Sequence, residues 1–531
     1  MIPDLEPYFS RARFPLFAHQ KIGVKKLIEM SVFALFDEMG AGKTIQVIIA
    51  AQILYEMGLI DKVIVVAPAS VRGVWFDPEL GELKKHLFEN TPNHIQQYHT
   101  VNRYWSQNIV ESKPFLRWVI TNYEFIRNPE WYMGLLQTVN TKTLLVLDES
   151  SSVKNHKTQQ TKVCMRFRAR CGRVVLLNGT PIANSPNDMY SQGHLMDGRI
   201  LGCKTHLHFK SEYAIMGGFH GRAILSWRNL DKMQRLFAPY VLRRLKTDCL
   251  DLPEKLPSVA IHVPLTAITW ARYKEMRDEM VTWLSHSTVS VAAQAVVKGL
   301  RLAQLTAGFI GGVQEMDPEL ILETTLNDVE TVDDLKRIGD VAVIDYQGAT
   351  NTSAVVEVGH EKLSAFIDWV KIRLEEDPNL KLLVWCRFRP ELHRAYYELT
   401  EIFPHVTFGR IQGGQTRKSR ADALRLLDPR TTPQGPVIVI GTTSSGSMGL
   451  NLAAAHTVIY LSNDFSLKTR LQSEDRVHRP GQVEKVSYTD IVATGPYGQK
   501  TIDHIIIKAL RDKEDLATWT QSAWIQALQE E

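Results

Sequence analysis

The chain has few cysteines, and they are not arranged in pairs. Its 531 residues contain five thiols, which are scattered and odd in number: Cys164, Cys171, Cys203, Cys249 and Cys386. None stands at the spacing of a common metal site, and Cys203 with His206, His208 and His220 matches no zinc motif. A disulfide scaffold and a zinc module are therefore disfavoured, and we expect buried thiols in a reducing compartment.

Long apolar runs and a strong charge imbalance are also missing. No run approaches the roughly 20 residues of a membrane helix, and the opening MIPDLEPYFSRARF has no secretory core. These features predict a protein that does not associate with membranes and lies in the cytoplasm, or in the nucleus of a eukaryote. The 62 Lys and Arg against 58 Asp and Glu give +4, which leaves a nucleic-acid partner undecided.

The sequence does contain repeated apolar runs, each followed by a turn and a helical pattern. With 44% hydrophobic and 23% charged residues the composition is that of an ordinary globular protein. This order predicts an α/β fold with parallel sheets flanked by helices. The predicted strands are Val32–Phe36, Val63–Ala67, Trp118–Thr121, Leu144–Leu147, Val174–Leu177, Leu380–Cys386, Val437–Gly441, Thr457–Leu461 and Ser487–Val492.

The predicted strands fall into two groups, which indicates two lobes, 1–255 and 256–531. Within the first lobe we expect a helical insertion at about 200–240. The second lobe should carry a helical protrusion at about 265–310, followed by an acidic insertion at about 311–360. Apolar and polar residues alternate at Val341–Tyr346 and Ala354–Val358, which is consistent with a small hairpin at the end of that insertion.

A phosphate-binding loop is predicted directly after the first strand. DEMGAGKT, residues 37–44, stands between an apolar strand and a helical pattern that closes at Gly58. Gly40 and Gly42 would let backbone N–H groups approach phosphates, Lys43 would neutralise them, and Thr44 would offer a hydroxyl to Mg²⁺. The strict pattern has glycine where this chain has Asp37, so a chance match in a loop is the alternative.

An acidic pair follows the predicted strand Leu144–Leu147. Asp148 would belong to the Mg²⁺ shell, and Glu149 would orient or deprotonate an attacking water. Solvated acids at a helix start are the alternative. Each motif makes the other more credible.

The order of motifs resembles superfamily-two helicases and, more narrowly, the Swi/Snf family of double-stranded-DNA translocases. The most specific string is LRRLKTDCLDLPEK, Leu242–Lys255, which generic helicases lack. The others are LFAHQKIGVKKL (16–27), VIVVAPASV (63–71), ITNYEFI (120–126), LNGTPIANS (177–185), GTTSSGSMGLNL (441–452) and QSEDRVHRPGQ (472–482). The resemblance implies two RecA-like lobes and a compact motor, as in small bacterial or phage members.

The resemblance also assigns roles to individual residues. The catalytic set is Lys43, Asp148, Glu149, Arg476 and Arg479, in which the two arginines act as fingers on the γ-phosphate from one face of a helix. ATP would be bound by His19, Gln20, Met39, Gly40, Ala41, Gly42, Lys43, Thr44, Gly449 and Asn451, and Mg²⁺ by Thr44 and Asp148. DNA would be contacted by Pro68, Asn122, Tyr123, Thr442 and Thr443, and Gly179, Thr180 and Gln472 would couple the two activities.

Two positions depart from the family pattern. Ser151 stands where a histidine is usual, and Asn178 where serine or threonine is common. Since Asp148 and Glu149 remain, hydrolysis is expected, whereas coupling is left open.

The predicted activity is that of a monomeric ATPase that moves along double-stranded or branched DNA. A strand-separating DNA or RNA helicase and an ATP-gated DNA clamp without turnover remain as alternatives. A basic cluster near the junction fits either a phosphate track or a solvated face; its members are Arg222, Arg228, Lys232, Arg235, Arg243, Arg244 and Lys246.

Overall fold

The computed structural model describes residues 3–76, 81–98, 114–179, 186–217, 223–286, 291–310, 355–447 and 451–512. The chain divides into two compact units between Leu250 and Asp251, slightly before the expected boundary at residue 255. No helix among the described residues is long and apolar enough to span a membrane.

The first unit is built on a seven-stranded parallel sheet. Across the sheet the order is β3-β4-β2-β5-β6-β1-β9, and a separate antiparallel hairpin is formed by β7 and β8. In chain order the strands are β1 (Val32–Leu35), β2 (Lys62–Ala67), β3 (Asn93–Gln97), β4 (Leu116–Asn122), β5 (Thr143–Leu147), β6 (Arg173–Leu177), β7 (Ala214–Gly217), β8 (Ala223–Trp227) and β9 (Val241–Leu242).

Helices cover both faces of this sheet. Along β2, Ile64 and Val66 belong to one apolar core, while Val63 and Val65 belong to another, because successive side chains of a strand point to opposite faces. The helices are α1 (Glu6–Phe9), α2 (Ala18–Glu29), α3 (Lys43–Glu56), α4 (Ala69–Phe76), α5 (Glu82–His86), α6 (Pro129–Gln137), α7 (Gln159–Arg168), α8 (Asp188–Met196), α9 (His206–Tyr213), α10 (Leu230–Phe237) and α11 (Lys246–Cys249).

The second unit contains a six-stranded parallel sheet of order β10-β17-β16-β13-β15-β14. Its strands are β10 (Val259–Pro264), β13 (Lys381–Cys386), β14 (Thr407–Ile411), β15 (Val437–Thr442), β16 (Thr457–Tyr460) and β17 (Ser487–Thr494), and β11 (Phe309–Ile310) pairs with β12 (Val356–Glu357). The helices are α12 (Ala267–His286), α13 (Val291–Thr306), α14 (Glu361–Glu376), α15 (Arg389–Ile402), α16 (Arg417–Arg425) and α17 (Leu467–Glu474), followed by a helix over 502–512.

The predicted fold class, parallel sheets flanked by helices, is confirmed, and each predicted strand is present. The insertion expected to be helical at 200–240 also holds the β7–β8 hairpin. Two helices, α12 and α13, occupy most of the segment for which a helical protrusion is predicted, at about 265–310. Most of the acidic insertion and Val341–Tyr346 lie outside the described residues, and β12 pairs with β11 rather than within a hairpin of the insertion.

Candidate active site

The phosphate loop lies between the end of β1 and the first residue of α3. Gly40 and Gly42 have φ angles of 84° and 77°, a left-handed conformation that favours glycine. A Cβ at Gly42 would lie 2.3 Å from Nε2 of Gln20, so a side chain there would also collide with α2. Because the N–H groups at the start of α3 face this loop, the geometry suits an anion.

Lys43 places its ammonium group at the entrance of the loop. Nζ donates to the carbonyl oxygens of Asp37 at 2.7 Å and Glu38 at 3.1 Å. The same charge lowers the pKa of Asp148, against the larger opposing effect of burial. The ammonium group of Lys43 and the carboxylate of Asp148 therefore interact electrostatically within the first unit.

The segment expected to read adenine contacts the loop directly. Nε2 of His19 lies 2.9 Å from the carbonyl oxygen of Ala41. Gln20 is buried, and its side-chain oxygen accepts the Phe17 N–H at 3.1 Å. The start of α2 is thus held against the loop.

Asp148 and Glu149 follow β5 at the carboxyl edge of the sheet. The Asp148 N–H bonds to Val66, and its Oδ2 accepts the indole N–H of Trp75 at 2.7 Å. Burial and the neighbouring Glu149 raise the pKa of Asp148 to about 6, although the Trp75 and Lys43 contacts oppose the rise. Glu149 has a φ of 50°, which is uncommon for a residue with a side chain and typical of functional sites.

These groups fit a Mg²⁺ ion that is shared with nucleotide phosphates. Oxygen donors are available from Asp148 and from Thr44, and a cation would relieve the repulsion between the two buried carboxylates. Among the described residues no group of three or more His, Cys, Asp or Glu could hold a metal alone.

The segment expected to couple the two activities packs on the phosphate loop. A Cβ at Gly179 would lie 2.4 Å from Cγ of Met39, so glycine allows the close approach. Asn178 is buried, and its N–H donates to Leu35 at 3.2 Å. Thr180 lies outside the described residues.

The predicted DNA-contacting segments of the first unit begin where β2 and β4 end. Pro68 precedes α4, and the Asn122 side-chain oxygen accepts from Arg72 at 3.2 Å. The Tyr123 ring is buried, and its hydroxyl donates to the Asp148 carbonyl at 2.9 Å. That hydroxyl therefore faces the acidic motif, and the predicted contact of Tyr123 with DNA would have to use another part of the residue.

In the second unit, Thr442 is the last residue of β15, and Thr443 follows it. Both are buried, and the Thr442 hydroxyl donates to Ser445 Oγ at 2.8 Å. Gln472 lies on α17 and is buried, while Asn451 is partly exposed and Gly449 lies outside the described residues.

Arg476 and Arg479 do not share a helix face. Helix α17 ends at Glu474, and both arginines lie in the turn that follows. The Arg476 carbonyl accepts the Leu452 N–H at 3.0 Å, which ties this turn to the GLNL segment. The expectation of one helix was therefore wrong, because the helix stops at Glu474 and residues 475–480 form turns and bends.

The basic cluster near the junction is not a single surface. Arg243 is buried and donates to the carbonyls of Phe36 at 2.7 Å and Gly179 at 3.2 Å. Arg244 pairs with the buried carboxylate of Asp37. By contrast, Lys232 is exposed and pairs with Glu212, and Arg222 lies outside the described residues.

Comparison with known proteins gives the family. The SNF2-related domain matches residues 19–306, which is more than half of the chain, and the helicase conserved C-terminal domain matches 361–481. The chain belongs to the SNF2-related family. The predicted membership in superfamily two, within the Swi/Snf group, is thereby confirmed, and the class of enzyme is a helicase-like ATPase.

This chain spans only part of the length of the curated relatives that it matches. Human lymphoid-specific helicase is 23% identical, with 90% of this chain and 60% of that protein covered. Human TATA-binding protein-associated factor 172 is also 23% identical and is covered over only 27% of its length. The solved SWI2/SNF2 ATPase core from Sulfolobus solfataricus, in complex with dsDNA, covers 99% of this chain and 97% of its own, at 21% identity and a TM-score of 0.41.

Proposed function

We propose that this SNF2-related chain hydrolyses ATP in response to double-stranded or branched DNA and uses the hydrolysis to move along it. The observation that supports this most is the arrangement of Lys43, Asp148 and Glu149 at one edge of one sheet. A cation at a helix start and a buried acidic pair are the groups that phosphoryl transfer requires.

Each group has a physical task in this proposal. The α3 N-terminus and Lys43 would bind the β- and γ-phosphates, and Thr44 and Asp148 would hold Mg²⁺, which neutralises charge on the phosphate oxygens. Glu149 would accept a proton from the attacking water. Trp75 fixes Asp148 Oδ2, so that its orientation does not depend on the metal.

Two substitutions separate binding from chemistry. Lys43→Ala should weaken nucleotide binding at least tenfold, about 1.4 kcal/mol, because it removes the cation at the loop. Glu149→Gln should retain binding within about threefold and lose roughly 10² to 10⁴ in turnover, the usual contribution of a positioned base. Fluorescent-ADP titration and steady-state phosphate release measure the two effects. Near-normal turnover in either variant would contradict the assignment.

The nucleic-acid partner is tested with a panel. ATP turnover is measured with no nucleic acid, single-stranded DNA, duplex, fork and RNA, with Lys43→Ala as the background. We expect duplex or fork to stimulate turnover most, and to drive displacement of a triplex-forming strand without separation of the duplex. Stimulation by RNA alone would favour the helicase alternative, and DNA binding without turnover would favour the clamp.

A further inference from the structure

The string LRRLKTD, residues 242–248, contacts the end of β1 and the first residues of the phosphate loop. Strand β9 pairs with β1 in parallel, and the Phe36 N–H donates to the Leu242 carbonyl at 2.8 Å. The Glu38 N–H donates to the Arg244 carbonyl at 2.9 Å, and the Lys246 N–H donates to Glu38 Oε2 at 2.8 Å. The first residues of the loop are therefore paired residue by residue with a segment some 200 positions later in the chain.

The centre of this contact is an ion pair between Arg244 and Asp37. Asp37 has no exposed surface, and the Arg244 guanidinium forks onto it, with Nε 3.0 Å from Oδ1 and the second bond from a terminal nitrogen to Oδ2. Forked pairs of this type fix direction as well as distance. Asp37 occupies the position where the strict phosphate-loop pattern has glycine.

The same guanidinium also reaches the segment expected to read adenine. Arg244 donates to the His19 carbonyl and, at 3.3 Å, to the Gln46 side chain on α3. Arg244 thus joins Asp37, α2 and α3 directly, and His19 Nε2 extends the connection to the Ala41 carbonyl in the loop. Each of these contacts would have to break for the loop to change its position relative to α2.

We propose that Arg244 and Asp37 are positioning residues that hold the phosphate loop and the adenine-reading segment in one arrangement, and so determine nucleotide affinity. The proposal rests on the function proposed above. It assigns a task to the carboxylate at the glycine position and to the second arginine of the junction string, neither of which needs to touch the nucleotide.

Asp37→Asn tests the proposal with little change of volume. It removes the charge while it keeps the side-chain shape, and Arg244→Lys keeps the charge but cannot fork. In the full chain with Mg²⁺, we expect Asp37→Asn to weaken fluorescent-ADP binding about tenfold and to raise the ATP KM similarly, with kcat within about threefold. The ADP affinity of Arg244→Lys should lie between that of Asp37→Asn and that of the unchanged protein.

A matched control lies at the opposite end of α3. Arg11 forks onto Glu56 with two bonds of 2.7 Å, far from the phosphate loop in sequence. Arg11→Gln should lower the midpoint of thermal unfolding without changing nucleotide affinity. A merely stabilising role for Arg244 and Asp37 would make their variants behave in the same way as this control.

The outcomes are distinguishable. If the unchanged protein binds no nucleotide, the proposed function itself fails. The positioning role is overturned if the unchanged protein binds ADP and Asp37→Asn binds it with an affinity within twofold. It is also overturned if Arg244→Lys retains full affinity. Loss of affinity in Arg11→Gln equal to that in Asp37→Asn would also overturn it, since the effect would then follow stability.

Discussion

Replacing Glu391 by glutamine is expected to stabilise the second unit at pH 8 much more than at pH 5. Glu391 lies in the first turn of α15 and is buried, and burial raises the pKa of its carboxyl to about 7, against the opposing effects of Lys362 and Ser462. The Ser462 hydroxyl donates to Oε2 and accepts the Arg387 N–H at 2.7 Å. A glutamine oxygen can accept the same serine proton.

Proton linkage determines whether the buried Glu391 carboxyl stabilises or destabilises the folded chain as pH rises. An acid whose folded pKa exceeds its unfolded value binds more protons in the folded state, so stability is lost as pH rises through the interval between the two values. With an ordinary value near 4.5 and a folded value of about 7, the cost is about 1 kcal/mol at pH 5 and about 3 kcal/mol at pH 8. Glutamine does not ionise, so Glu391→Gln should recover these amounts.

Urea unfolding of the full chain at pH 5, 6, 7 and 8 measures the difference. Glu401→Gln, on the exposed side of the same helix, is the matched control for replacing a glutamate of α15 by glutamine. A stabilisation that is equal at all four pH values, or a destabilisation that grows with pH, would show that folding does not raise the pKa of Glu391 and that the reasoning is wrong.

Three further predictions concern function. Arg476→Ala and Arg479→Ala should each retain nucleotide affinity and lose DNA-stimulated turnover by roughly 10³ or more, the contribution of an arginine finger, in paired binding and turnover assays. Trp75→Phe removes the donor to Asp148 and should raise the half-saturating Mg²⁺ concentration several-fold; Trp118→Phe, which loses a similar bond to Asn93, should not. Duplexes of equal length and scrambled sequence should stimulate turnover alike. Their binding should weaken as salt rises, and the logarithm of the binding constant should fall with the logarithm of salt concentration with a slope near 0.9 per phosphate contact. A tenfold preference for one sequence at high salt would contradict this prediction.

Strands buried on both faces could be predicted because they are continuous apolar runs. β2 and β15 are of this kind, and their positions were correct. β3, with the sequence NHIQQ, could not be found in this way, since it lies at the edge of its sheet and is only partly buried. β14 is also an edge strand, and its TFGRI contains too few apolar residues to stand out.

Site residues could be predicted where the chemistry is local in the chain. Gly40, Gly42 and Lys43 lie together in sequence, and the strand and helix on either side were recognisable. The role of Trp75 was missed because its partner is 73 positions away, and no local pattern shows an indole N–H aimed at a carboxylate. Tyr123 lies in the loop after β4, as its position in the sequence indicates, but the direction of its side chain depends on tertiary packing.

Asp37 shows how a departure from a pattern can be informative. A carboxylate in the first position of a phosphate loop is unfavourable by itself, because it is buried and lies near the site that would hold phosphates. A partner with a fixed fork offsets this cost, and Arg244, 207 positions later, supplies that partner. The departure at Asp37 and the LRRLKTD string are therefore two parts of one structural feature, which is why neither part could be explained from its own neighbourhood in the sequence.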